Sequence, residues 1–306
     1  MENADSADNW RHLLTDPAVT GEALRALAVL PDVPVEALAC LAADERRLKE
    51  TPAIATAIYT NRRAPLSVAN RAVVTCHRLG VVPEGIPGFE ELAQAIAADP
   101  TALDAAVNSG FDDLLQTAPE ANSAEIDVEV DTNVLNVDTT TDTDPDKAAA
   151  QGPDTPSPPG PASSAKGSKR RSAIIDFTRL KLYEKIRLAT LGNAYCRQNL
   201  LRDSNRMVAM AAIRSPQITD GEIVKAAGNR ALSEEVIRYI GNRKELVKQY
   251  AVKLALVGNA KCPLAVTLRL LSTLNADDIK QIARSKNVPG ALSTAAKRLA
   301  AAKGPQ

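Results

Sequence analysis

Along most of the chain, apolar residues recur three and four positions apart, which places them on one face of a helix. Leu24, Leu27 and Ala28 form one such stripe, and Val236, Ile237 and Ile240 form another. Each stripe is short and follows the same phrase. A small or polar residue, or Pro, precedes an apolar anchor, then comes Thr, Ser or Pro, then a further apolar residue three or four positions on. In the first part of the chain the phrase reads D-P-A-V-T-G-E-A-L-R-A-L-A from Asp16, P-D-V-P-V-E-A-L-A-C-L-A from Pro31 and N-R-R-A-P-L-S-V from Asn61. In the last part it reads S-P-Q-I-T-D-G-E-I-V from Ser215, N-R-A-L-S-E-E-V-I from Asn229, N-A-K-C-P-L-A-V from Asn259 and S-K-N-V-P-G-A-L from Ser285.

These phrases are helix starts with a mechanism. Thr219 and Glu222 have capping-box spacing, and Ser233 is placed to cap the next helix. Pro34, Pro65, Pro263 and Pro289 fall where a first-turn proline sacrifices no hydrogen bond. Gly192-Asn193 and Gly258-Asn259 read as helix stops in the left-handed conformation. Val81–Gly88 interrupts the pattern, and helices are expected after it near Phe89–Ala98 and Leu103–Leu115, closing the first lobe.

The anchors repeat at two scales. Val19, Val33 and Ala64 are spaced by 14 and 31 residues, while Ile218, Leu232 and Cys262 are spaced by 14 and 30. The two lobes align almost without a gap: Pro17 with Pro216, Thr20 with Thr219, Asn61 with Asn259, Pro65 with Pro263 and Val68 with Val266. This implies an internal duplication. A second echo pairs I-R-L-A-T-L-G-N-A-Y-C from Ile186 with V-K-L-A-L-V-G-N-A-K-C from Val252, identical at six of eleven positions. It sets Leu254 opposite Leu188 and predicts that Leu254 is buried between helices. Between the lobes, residues 117–172 pass from acidic and Thr-rich to Pro/Gly/Ser-rich sequence, which buries too little to offset its ordering entropy. The expected architecture is all-α, with two α-solenoid lobes, 1–116 and 173–306, joined by a disordered linker over 117–172. Few contacts are expected between the lobes.

The phrases at Asp16 and Asn259 resemble the leucine-rich repeat variant family, a HEAT-like bacterial α-solenoid whose units carry N-P-x-T-P-x-x-V-L-x-x-L-A. The resemblance covers residues 12–80 and 185–300. It implies stacked short helices and partner binding, with no fixed activity. Physical reasoning agrees, because one helix pair cannot bury its apolar face alone and neighbours must stack.

Composition narrows the function. Aromatic residues make up only 3% of the chain, too few for a base-stacking platform. Cys40, Cys76, Cys196 and Cys262 form no C-x-x-C pair, so neither a metal site nor a disulfide framework is expected. Cys196 and Cys262 instead suit small buried positions. His12 and His77 are the only histidines, and Cys76–His77 are helix neighbours whose side chains diverge. Phosphate-loop, dinucleotide, zinc-protease and nucleophile-elbow motifs are all missing from the sequence. No enzyme activity and no cofactor are therefore expected. The opening M-E-N-A-D-S-A-D-N-W is acidic and polar, unlike a secretory leader, and no long uncharged apolar run exists. A cytoplasmic location is expected.

Charge supplies the functional clue. Residues 1–165 carry 10 Lys/Arg against 27 Asp/Glu, and residues 166–306 carry 27 against 10. In a solenoid, equivalent positions line up as a stripe along one face. Arg187 and Lys253 share one repeat position, Lys225 and Arg238 another, and Arg206, Arg214, Arg230, Arg243 and Lys244 extend the basic set. Such a stripe meets an acidic protein or phosphates. The sequence thus predicts a non-enzymatic scaffold for another protein, with nucleic-acid backbone binding by the basic lobe as the alternative.

Overall fold

The computed structural model describes residues 10, 12–14, 16, 18–117, 176–285 and 287–302. Nearly all of the expected linker, residues 118–172, lies outside them. The described residues are helical and contain no strand. In chain order the helices are α1 (Gly21–Val29), α2 (Val35–Ala43), α3 (Glu45–Glu50), α4 (Ala53–Thr60), α5 (Leu66–Arg78), α6 (Phe89–Ala97) and α7 (Ala105–Thr117). There follow α8 (Leu182–Leu191), α9 (Ala194–Leu200), α10 (Arg206–Ile213), α11 (Asp220–Gly228), α12 (Glu234–Asn242), α13 (Lys244–Val247), α14 (Tyr250–Gly258), α15 (Leu264–Leu271), α16 (Ala276–Arg284) and α17 (Gly290–Ala302).

The predicted starts form as the sequence implies. Thr20 and Thr219 both cap with their side chains, onto the N–H groups of Ala23 and Glu222. Glu222 returns the bond to the Thr219 N–H at 2.7 Å, completing the capping box. Ser233 caps α12 through the Val236 N–H. Pro65 and Pro263 stand one position before the expected first turn, as the N-cap residues of α5 and α15. The stops differ from expectation. Gly192 and Asn259 end their helices with extended backbone, at φ −67° and −92°. Gly192 is required for space: a Cβ there would lie 2.3 Å from the Leu188 carbonyl oxygen. Left-handed glycines occur instead in the connection before α6, at Gly80, Gly85 and Gly88.

Helices α1–α5 and α11–α15 run in the same order, and they pair alike: α1 with α4 and α11 with α14, α2 with α5 and α12 with α15. A buried asparagine ties each set together. Asn61 donates through Nδ2 to the Ala28 carbonyl at 2.8 Å, and its Oδ1 accepts from the Arg63 N–H at 2.9 Å. Asn259 donates to the Ala227 carbonyl at 2.8 Å and accepts from the Lys261 N–H at 3.0 Å. Ser215 makes the same two-way contact, donating to Thr190 at 2.8 Å and accepting from the Gln217 N–H at 3.3 Å. In each case a connection satisfies a carbonyl at a helix end that has no intrahelical partner.

The expectation of few contacts across the linker is corrected. Helix α8 packs against α4, α6 and α7 on one side and α10 on the other. Lys181 pairs with Asp99 at 2.7 Å, and the Tyr183 hydroxyl donates to the same carboxylate at 3.1 Å. Thus Asp99 is held well below the ordinary carboxylate range, first by Lys181 and then by Thr101, with burial opposing. A Cβ on Gly88 would meet the Met207 side chain.

Arg187 is the deepest of these links. Its guanidinium donates to the carbonyls of Tyr59 at 2.7 Å, Asn61 at 3.1 Å and Ala64 at 2.5 Å. The placement of Arg187 in a surface stripe is therefore corrected, since it is 0% exposed. The physical reason lies in α4, whose C-terminal carbonyls carry partial negative charge and need donors once α8 covers them. Leu254 is also corrected. It is half-buried while Leu188 is fully buried: α14 packs chiefly on α11, α13 and α15, whereas α8 is covered on both sides.

Candidate functional site

The basic residues left at the surface gather around one aromatic ring. Val236, Ile237 and Ile240 turn one face of α12 into the core, which directs Arg238 and Asn242 outward and leaves Tyr239 half-buried at the edge of the core. Glu234 and Glu235 occupy its first turn, where carboxylates complement the helix dipole. Arg214 and Arg243 are the C-cap residues of α10 and α12, where cations are favoured. Both guanidiniums lie over Tyr239, each 5.1 Å from the ring centroid.

Beside Tyr239 is a recess of about 330 Å³ between α10 and α12. Arg206 and Met210 form one wall; Glu235, Arg238, Tyr239, Asn242 and Arg243 form the rest. Arg206 pairs with Glu235 and Arg238 with Glu234, both at 2.5 Å. Arg214 and Arg243 have no carboxylate within ion-pair distance among the described residues. Cation–π contact with Tyr239 uses no N–H donor, so the planar N–H edges of both guanidiniums stay available. A planar edge of this kind recognises a carboxylate or a phosphate oxygen pair bidentately. Its volume is at the lower end for ligand pockets, on the order of 300–1,000 Å³, and suits one anionic group with its side chain.

No family model, curated protein or solved structure matches this chain. The functional reading therefore rests on the chain's own geometry.

The structure splits the predicted basic set. Arg206, Arg238 and Arg243 line the recess, and Arg214 lies over the Tyr239 ring at its edge without lining it. Lys244 is exposed at the start of α13, immediately after it. Lys225, Arg230 and Lys253 do not line the recess. Lys225 is exposed on α11, Arg230 reaches the Gly258 carbonyl at 3.4 Å, and Lys253 is half-buried on α14. Sequence reasoning missed Tyr239, Met210 and Asn242. Tyr239 carried half a signal: Arg243 follows it four residues later, at helical spacing, whereas Arg214 comes from another helix.

The remaining reactive groups are quiet. Cys76, Cys196 and Cys262 are buried, and burial pushes each thiol up to about 11. Cys40 is exposed. His77 pairs with Glu90 at 3.3 Å rather than facing Cys76. Among the described residues no three metal-ligating side chains converge, and no helix is long and apolar enough to cross a membrane.

Proposed function

We propose that the chain is a non-enzymatic cytoplasmic scaffold of the helical-repeat type, which binds a carboxylate-bearing segment of another protein in the recess beside Tyr239. The observation that carries this reading is the pair of guanidiniums, Arg214 and Arg243, set over one ring with no carboxylate of their own. The parallel order of α1–α5 and α11–α15, with matched bonds from Asn61 and Asn259, supports a duplicated unit and a solenoid. It is also what the resemblance to the leucine-rich repeat variant family implies.

A protein ligand is favoured over a nucleic-acid backbone by the recess itself. Glu234 and Glu235 lie on the same helix as Arg238 and Arg243, so the site is a mixed-charge pocket rather than a uniform cationic track. The test is affinity capture from lysate with the wild-type chain and with Arg214→Glu/Arg243→Glu, each with and without nuclease. Partners that survive nuclease and disappear with the double variant carry the reading. Partners lost on nuclease transfer the function to nucleic acid, and identical capture by both chains refutes the site.

A further inference from the structure

A second surface, independent of the recess, emerges when the two five-helix sets are compared position by position. In the first set Leu66 and Asn70 of α5 are 0% exposed. Helix α7 and the turn before it cover them: Asp112 Oδ1 accepts from the Leu66 N–H at 2.8 Å, and Asn70 donates to the Ala102 carbonyl at 2.8 Å. Phe111 and Leu115 supply the apolar side of α7. At the same register in the second set, Leu264 and Leu268 of α15 are 42% and 39% exposed. Ala265 between them is exposed as well, whereas its counterpart Ser67 is buried.

The difference has a physical cause. Helix α5 has 13 residues, and the connection over 79–88 lets α6 and α7 fold back along it. Helix α15 has 8 residues, and α16 begins after only Ser272–Asn275, so the α16–α17 pair leaves this face open. Leu268 stands where the covered set has Asn70, which makes the open face the more apolar of the two.

We infer that the Leu264/Leu268 face of α15 docks an amphipathic helix of a partner protein, one with an acidic residue at the edge of its apolar side. Helix α7 is the template for that partner, and Asp112 is the template for the acid, which meets the first N–H groups of α15. Charge complementarity agrees, since residues 166–306 carry 27 Lys/Arg against 10 Asp/Glu, while Lys261 and Arg269, next to the face, donate to the carbonyls of Leu232 and Gly241, each at 2.8 Å. An i, i+4 pair of leucines is the usual contact in helix-on-helix recognition.

The probe is a labelled peptide of residues 103–117, held helical by a staple between positions 106 and 110, both exposed in the chain. Fluorescence anisotropy is read against the full chain. The expected result is saturable binding that weakens at least tenfold with Leu264→Asp/Leu268→Asp and several-fold when the peptide carries Asp112→Asn. Arg214→Glu/Arg243→Glu should leave peptide binding unchanged, which separates this surface from the recess. Far-UV circular dichroism checks that the leucine variant folds, and Leu268→Gln is the milder substitute. No binding, or equal binding to the leucine variants, overturns the inference. So does a dimer in sedimentation that Leu264→Asp/Leu268→Asp dissolves, because the occupant would then be a second copy.

Discussion

Arg187→Met tests the link between the two parts of the chain most directly. Methionine keeps most of the apolar stem of the side chain and removes only the charge and its donors. Three charge-assisted bonds are lost, each worth about 1.5–3 kcal/mol in net terms. The Asn61 carbonyl keeps a second donor, the Ala64 N–H at 3.2 Å, so the carbonyls of Tyr59 and Ala64 carry the loss. Releasing the guanidinium from burial returns several kcal/mol. The net expectation is destabilisation by about 3–5 kcal/mol, the range for removing one partner from a buried charged cluster. Urea unfolding should be followed at once by far-UV circular dichroism and by the fluorescence of Trp10, the single tryptophan, which packs on the core before α1. In the wild type the two signals should coincide; in the variant the helices beyond α8 should separate from the Trp10 transition. A loss below about 1 kcal/mol with coincident transitions would refute the role given to Arg187.

Three further outcomes follow from the same structure. Asn61→Ala and Asn259→Ala should each cost about 1–3 kcal/mol in chemical unfolding and agree within about 1 kcal/mol, because each loses the same pair of helix-end bonds; a clear mismatch counts against the duplicated unit. Asp99 is held below its ordinary value, so its folded form binds fewer protons than its unfolded form. Its contribution is complete at neutral pH and fades as pH falls below about 4, so Asp99→Asn should destabilise at pH 7 and converge on the wild type in acid. Cys40 should react with a thiol reagent quickly in the native chain and the three buried cysteines only on unfolding, and fast labelling of Cys196 or Cys262 would mean that their helices open.

Helix starts were the most legible part of the fold. Thr219 with Glu222, Ser233, Pro65 and Pro263 announce their helices through local chemistry, and local chemistry is what a sequence records directly. The matched asparagines were legible as an alignment, though their bonds to Ala28 and Ala227 were not. Arg187 shows where such reading fails. A surface arginine and a buried one look alike in a helix, and only the neighbour decides which it is. Here the neighbour is α4, more than a hundred residues earlier in the chain. Tyr239 was hidden for a related reason. Its partners Arg214 and Arg243 come from the ends of two different helices, so no single stretch of sequence displays the cluster.

The packing of α7 against α8 also bears on how this chain can change over evolutionary time. The two helices touch, so the chain that joins them must return to a point already fixed in space. The entropy of closing such a loop grows only logarithmically, by about 0.6 kcal/mol for each doubling of its length. The contacts of Arg187, Lys181 and Tyr183 do not depend on how many residues the loop contains. A change in the length of that connection therefore costs little through closure entropy, and the helices on either side stay in register.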